Sequence, residues 1–403
     1  MGAISGIDWA SEWHEVHISD ELGRPLAARQ FAHDEAGISA LIELLRLNEI
    51  ECCAIERPDG LLVGRLLAAG IPVLAIHPNQ LKAARDRFRA AASKNDRFDA
   101  MVLCELARTD RHRFPALAPS GDETLALKVL VRTREDLVEA RVALANQLRS
   151  QLEAFWPGAE RIFADVDSSI ALAFLERYPS PSDARGLGEK RLASFLARHG
   201  YCGRKTPSEL LGRLRHAPQA IVGELEADAR RAAVLGLVAA LRPIVCQIGQ
   251  LTSQIAGAIR THPDGPIFLA FFRDPKSVLT AAGLLAEVGD NRARYPTNDA
   301  LAADGGQSPV AVQSGKRTSA SFRWACDKRL RNHISTLADS TRHWHPWAKR
   351  LYTRARERGA DHPHALRIVG RAWTRILWRC WQDRTPYDPS RHKALSNVLA
   401  DRG

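Results

Sequence analysis

The sequence predicts an α/β N-terminal domain followed by a mainly α-helical remainder. Three observations predict it. Residues 1–110 alternate short apolar runs with amphipathic stretches, the mark of strands and helices in turn. Residues 122–155 and 222–260 each hold helical periodicity over many turns. The stretch between them, 159–218, reads as shorter helices broken at 179–182 and 205–207, where proline recurs.

In order, residues 3–7 are a buried strand, 15–18 an alternating strand, and a turn at 21–25 leads into a third extended run ending at Phe31. These three form a meander. Residues 35–47 carry apolar positions Ile38, Leu41, Ile42, Leu44 and Leu45, which describe one helical face. A strand over 52–55, a helix over 61–69, a strand over 72–76 and helices over 79–89 and 96–108 complete the domain. A meander followed by alternating helices and strands is the order of a ribonuclease-H-like (RuvC-like) fold, in which the strands over 3–7 and 52–55 lie side by side.

Residues 122–155 form a coiled-coil-like helix. Leu130, Leu137 and Leu144 repeat every seven residues, as do Val131, Val138, Ala145 and Leu152. The pattern suits a seam between protomers and equally a helix packed within its own chain. A second long helix, 222–260, has the stripe Leu237, Leu241, Ile244, Ile248, Leu251, Ile255 and Ile259 despite Pro243, and is a natural partner for the first. A turn at 263–266 opens the C-terminal part. Three regions are expected: 1–115, 116–262 and 263–403.

Composition is that of a globular protein, with 45% hydrophobic and 26% charged residues. No run approaches the ~18 apolar residues of a membrane span, and the N-terminus lacks a signal core, so a cytoplasmic protein is expected. The seven cysteines show neither Cys-x-x-Cys nor zinc-ligand spacing and read as reduced thiols. Charge is segregated. Residues 1–104 hold 11 Lys and Arg against 15 Asp and Glu, whereas 305–403 hold 20 against 7, a net of +13. A basic region of that kind is the electrostatic footprint of a nucleic acid.

Four acids stand out. Asp8 and Glu56 end apolar strands, and Asp96 and Asp99 lie three apart at the start of a helix, on one face. A carboxylate at the end of a hydrophobic strand is costly to bury without a partner. Four converging carboxylates are instead the hard-oxygen donor set of Mg²⁺, which serves phosphodiester chemistry. Taken singly, Asp8 is an ordinary strand end, Glu56 a partner for Arg57, and Asp96 a helix N-cap. In the basic region, Arg317, Arg323, Lys328, Arg329 and Arg331 are candidates to neutralise phosphates, beside a small polar loop at 311–317. Ser314 lies in that loop, where an unaided Ser-Gly is usually just a turn. Trp373, Trp378 and Trp381 at helical spacing read as core.

Several motifs occur in a specific order: the four acids, the Lys94-x-Asp96-x-x-Asp99-Ala100 block, the long helix, Leu284-Leu285-Ala286-Glu287-Val288-Gly289-Asp290, Ser308-Pro309 and Gln313-Ser314-Gly315. In this order the sequence resembles the one-ten family of insertion-sequence transposases, DEDD enzymes understood as bridge-RNA-guided serine recombinases. The resemblance runs from residue 4 to about residue 389. It implies an RNase H-like metal domain in which Asp8, Glu56, Asp96 and Asp99 bind Mg²⁺, and a C-terminal transposase domain in which Ser314 is the nucleophile. It also implies a homo-oligomer, a dimer or tetramer, acting on donor and target DNA with a structured guide RNA. The chain departs from the family at 272–278, which lacks the usual glycine-rich turn, at 302–307, and at Asn95, where Thr or Ser is usual. None of these removes a candidate catalytic group. Two other readings fit the same residues. One is a metal-dependent endonuclease with a water nucleophile, and the other is a decayed transposase that only binds nucleic acid.

Overall fold

The computed structural model describes residues 2–56, 59–88, 95–114, 116–274, 277–314 and 317–401, with the backbone alone at 311–314 and 317–320. The chain divides into two compact units. The first comprises Met1–Ser120 with Asn291–Pro296, and the second Gly121–Asp290 with Thr297–Gly403. Apart from 116–120 and Asn291–Pro296, the expected middle and C-terminal regions lie in the second unit.

In the first unit β1 (Ala3–Trp9), β2 (Trp13–Ser19) and β3 (Pro25–Ala32) form the antiparallel meander. Helix α1 (Glu35–Leu47) then leads to β4 (Ile50–Ile55), α2 (Leu61–Ala68) to β5 (Val73–Ala75), and α3 (Pro78–Phe88) and α4 (Asp96–Asp110) follow. The sheet order is β3-β2-β1-β4-β5, with β4 parallel to β1 and β5 parallel to β4. Side chains alternate across this sheet, as strand geometry requires. Ala3, Ile7, Cys53 and Ile55 pack with the apolar stripes of α1 and α2, while Ile4, Cys52 and Ala54 pack with α4. Asp34 caps α1, its Oδ1 accepting from the Gly37 amide at 2.7 Å, one of the donors a helix start leaves unpaired.

The second unit is built on α5 (Asp122–Phe155), followed by α6 (Pro157–Arg161), α7 (Ser169–Arg177), α8 (Glu189–Arg198), α9 (Pro207–His216) and α10 (Glu224–Thr261). Helices α5 and α10 run antiparallel. Thr124 Oγ1 lies 2.8 Å from His262 Nε2 near one end, and Arg134 Nε donates to Thr252 Oγ1 at 2.8 Å further along. At the other end Leu148, Leu152, Val234, Val238 and Leu241 share a core with α7, α8 and α9. Of the seven-residue seam of α5, Val131, Ala145 and Leu152 are buried within the chain.

Helix α10 is more apolar than the sequence reading of its stripe suggests. It contains an 18-residue window of mean hydropathy 1.8 and is, by length and composition, long and apolar enough to cross a membrane. No unbroken run of large apolar side chains marks this window, because Arg242, Pro243, Gln247 and scattered alanines interrupt it. Arg242 is paired with Glu176 of α7 at 2.6 Å, and only 22% of the window is buried.

Beyond α10 come α11 (Gly265–Leu269), α12 (Val278–Val288), α13 (Asn298–Asp304), the hairpin β6 (Val310–Ser314) and β7 (Arg317–Ser321), then α14 (Lys328–Trp344), α15 (Pro346–Glu357), α16 (His362–Gln382) and α17 (Lys393–Ala400). Glu287 of α12 is fully buried and accepts a two-bond fork from Arg132 of α5, at 2.8 Å for each bond. A buried carboxylate needs such a partner, so this motif glutamate ties α12 to α5. Trp373 and Trp381 are fully buried and their indole nitrogens donate to Thr341 Oγ1 and to the Gly289 carbonyl, each at 2.8 Å. All seven cysteines are unpaired.

Candidate functional site

The register of β1 against β4 sets Ile7 opposite Ile55. The next residues, Asp8 and Glu56, therefore leave neighbouring parallel strands at the same end, with the strands ~5 Å apart. Parity puts them on one face as well. Asp8 follows Ile4 and Gly6, and Glu56 follows Cys52 and Ala54, on the face covered by α4.

Helix α4 runs against β1 in the opposite direction. Cys104 Sγ lies 3.2 Å from the Ile4 carbonyl oxygen, and Ala100 lies over Gly6. A Cβ on Gly6 would stand 2.2 Å from the Ala100 carbonyl oxygen and 2.3 Å from the Cys104 nitrogen, so the close approach depends on the missing side chain. The N-terminal turn of α4, with Asp96 and Asp99, consequently lies toward the end where Asp8 and Glu56 leave the sheet. Carboxylates are favoured there by the helix dipole. The N-cap is Asn95, whose Oδ1 accepts from the Arg97 amide at 3.0 Å, so Asp96 is left to face solvent.

Asp99 differs from the other three. It is 1% exposed, and Arg85 of α3 holds both of its oxygens, Nε to Oδ1 and Nη2 to Oδ2, at 2.5 Å each. Among the described residues no three His, Cys, Asp or Glu lie close enough together to hold an ion. The donor set suits Mg²⁺ in its hard oxygens and in its shared edge and face. Asp99 would join it only on release from Arg85. Lys94, Arg57 and Pro58 lie outside the described residues. His14, near Asp8 in sequence, is fully buried with its Nε2 2.8 Å from His33 Nδ1. Burial, and then His33, lower its pKa to about 4.

Ser314 belongs to the second unit and sits in a hairpin where a polar loop was expected. It is the last residue of β6 and pairs with Arg317, the first of β7; Gly315 and Lys316 between them lie outside the described residues. Val310-Ala311-Val312 was the available strand signal, but it is short and the small and polar residues after it hid the hairpin.

The basic residues separate by partner. Arg323 Nε donates to the Ser308 carbonyl at 3.1 Å, and Lys328 is exposed as the first residue of α14. Arg331 lies 5.3 Å over the Phe322 ring. Arg329, expected to meet phosphate, is engaged elsewhere. Its Nη1 donates to Glu135 at 2.5 Å and its Nη2 to Asp136 at 2.6 Å, both on α5. Burial pushes the Glu135 pKa upward, but hydrogen bonds from His333 and Arg329 hold it below the usual carboxylate range. Two residues absent from the expected set join this surface. Arg367 of α16 lies 5.0 Å over the same Phe322 ring, and Trp324 is 77% exposed. The run Phe322-Arg323-Trp324, aromatics interleaved with a cation, was the available signal.

Residues 5–157 match a family model described as a transposase, the DEDD type of IS110, and residues 277–353 match that of the transposase IS116/IS110/IS902 family. The chain is 31% identical over 401 residues to the mini-circle putative transposase for IS117 of Streptomyces coelicolor, covering 97% of this chain and 96% of that protein. It is 26% identical over 394 residues to the insertion element IS900 uncharacterized 42 kDa protein of Mycobacterium paratuberculosis, covering 96% and 97% respectively. A putative transposase, y4uE, of Sinorhizobium fredii is 35% identical over 202 residues, covering 48% of this chain and 56% of its own.

Proposed function

Because the chain belongs to the IS110 family of transposases, we propose that it cleaves and rejoins DNA strands with a serine nucleophile and a Mg²⁺-binding acidic edge. The observation that carries the reading is the β1–β4 register, which pairs Ile7 with Ile55 in adjacent parallel strands, each the residue before an acid, Asp8 or Glu56. The sheet order β3-β2-β1-β4-β5 supports an RNase H-like domain around that edge. Bound Mg²⁺ supplies charge neutralisation at the phosphodiester and a lowered pKa for a hydroxyl held near it. Asp8, Glu56 and Asp96 would hold it, with Asp99 joining when Arg85 gives way.

In the proposed step the Ser314 hydroxyl forms an O–P bond, the bond to one DNA oxygen breaks, and the serine proton passes to that leaving oxygen. The phosphoserine link retains the bond energy, so the reverse attack by a DNA hydroxyl reseals a strand without an external energy source. The family resemblance of Gln313-Ser314-Gly315 supports this assignment. Arg323, Lys328 and Arg331 supply positive charge, and Arg317 pairs with Ser314 across the hairpin. A structured guide RNA from the mobile element and a homo-oligomer belong to the same reading. The segregated +13 charge supports the first, and the mostly unburied apolar window of α10 the second. The reaction is assigned to the cytoplasm.

The test is strand cleavage of element-end DNA by the purified protein with Mg²⁺ and the element's own RNA. Asp8→Ala and Glu56→Ala should abolish cleavage and leave the circular dichroism spectrum unchanged. Undiminished Mg²⁺-dependent cleavage by both variants would overturn the assignment of the acidic edge.

A further inference from the structure

The segment leaving β7 carries an aromatic pair that the strand-transfer chemistry does not use. Phe322 and Trp324 meet edge to face, with ring centroids 4.7 Å apart at 77°. Trp324 is 77% exposed, whereas Trp373 and Trp381 of the same unit are fully buried. Over the Phe322 ring stand two guanidiniums from different helices, Arg331 of α14 at 5.3 Å and Arg367 of α16 at 5.0 Å.

Neighbouring arginines show what is missing. Arg342, Arg371 and Arg379 are paired with Asp339, Asp299 and Asp383. Neither Arg331 nor Arg367 has a carboxylate partner among the described residues. Like charges drawn to one ring repel each other, and the negative face of the ring offsets only part of that. An anion at these guanidiniums would complete the neutralisation. The exposed indole beside them offers a flat π-face, which any nucleobase can stack on.

We propose that Trp324, Phe322, Arg331 and Arg367 form a stacking site for one unpaired DNA nucleotide, its base on the indole and its phosphate at the two guanidiniums. The proposal rests on the strand-transfer reading and adds to it a grip on single-stranded DNA. An unpaired base is required because the faces of paired bases are already stacked within the duplex. DNA is the occupant favoured by continuity with the serine hairpin. Phe322 directly follows Ser321, which is four residues along β7 from the Ser314–Arg317 pair, or ~14 Å of strand.

The experiment measures fluorescence anisotropy of labelled single-stranded DNA, of the same sequence as duplex, and of the same sequence as single-stranded RNA, all with the full chain. Trp324→Leu keeps apolar bulk and removes the π-face, while Trp324→Phe restores a face. At 77% exposure neither change disturbs the core. Trp324→Leu should weaken single-stranded DNA binding roughly 5- to 150-fold, the worth of one stacked base. Trp324→Phe should recover much of the loss, and duplex binding should stay unchanged. Equal single-stranded affinity for wild type and Trp324→Leu would overturn the site, as would an equal loss on duplex. A loss confined to RNA would overturn the assignment to DNA. Wild type with no affinity for any of the three probes would overturn the strand-transfer reading itself, and this site with it.

Discussion

Arg85 holds Asp99 by both carboxylate oxygens, at 2.5 Å each, with the aspartate side chain 2% exposed and the arginine 27%. The guanidinium neutralises this carboxylate. Breaking one side of a buried pair costs about 3–5 kcal/mol because the other charge is left uncompensated. The partial exposure of Arg85 argues for the low end of that range. Arg85→Ala should therefore lower stability by about 3 kcal/mol in metal-free buffer. Added Mg²⁺ should then raise its melting temperature more than that of wild type, since a freed ligand binds in the folded state alone. Equal Mg²⁺-induced shifts in the two proteins would show that Asp99 takes no part in metal binding.

Gly6 sets how closely α4 lies on β1. A Cβ there meets the Ala100 carbonyl and the Cys104 nitrogen, both backbone atoms of a helix that cannot turn aside as a side chain would. Gly6→Ala should push the helix outward and destabilise the first unit by about 1–3 kcal/mol or more, as overpacking does. It should also weaken Mg²⁺ binding, because Asp96 and Asp99 move with the helix. Denaturant titration with and without Mg²⁺ measures both effects. An unchanged midpoint would mean that the sheet and helix adjust without strain.

Local periodicity carried most of this architecture. The stripe Ile38, Leu41, Ile42 and Leu45 marked α1 at its observed ends, and the apolar runs over 3–7 and 52–55 marked the two strands that carry Asp8 and Glu56. Alternation along those strands put both acids on the α4 face. What escaped was decided by partners distant in sequence. Nothing near Asp99 announces Arg85 in the preceding helix, and nothing near Arg329 announces Glu135 and Asp136, which lie 194 and 193 residues away. The β6–β7 hairpin escaped for another reason. Only Val310 and Val312 of its first strand carry a strand signal, and its second, Arg317–Ser321, is small and polar, so most of its pairing leaves no trace in a hydrophobic pattern.

His345 gives the second unit a pH dependence. It is 2% exposed, its Nε2 lies 3.0 Å from the Tyr387 hydroxyl, and burial, with His392 adding to it, lowers its pKa from 6.5 to about 4. Between those values the unfolded chain binds a proton that the folded chain refuses. The contribution is therefore complete above pH 6.5 and is lost as pH falls toward 4. Stability should drop by about 2 kcal/mol between pH 8 and pH 5 from this group. His345→Gln should flatten that limb of the profile. A wild-type denaturant midpoint that does not fall over the range would contradict the burial of a neutral imidazole.

Ser314 separates serine chemistry from hydrolysis. It is the last residue of β6 and pairs with Arg317, the first of β7. If its hydroxyl attacks phosphorus, cleavage leaves the protein covalently joined to one strand, and denaturing electrophoresis with labelled DNA shows a protein-sized adduct. Ser314→Ala should bind nucleic acid as wild type does, form no adduct and give no recombined product. Ser314→Cys should retain at most a trace, because a thiolate is a strong nucleophile but a poor partner for a hard cation. Water attack predicts a different pair of results. The wild-type protein would release free ends, and the Ala variant would go on cutting at a substantial rate. That outcome would reject the recombinase step while leaving the acidic edge intact, since the acids would then serve a hydrolytic nucleophile.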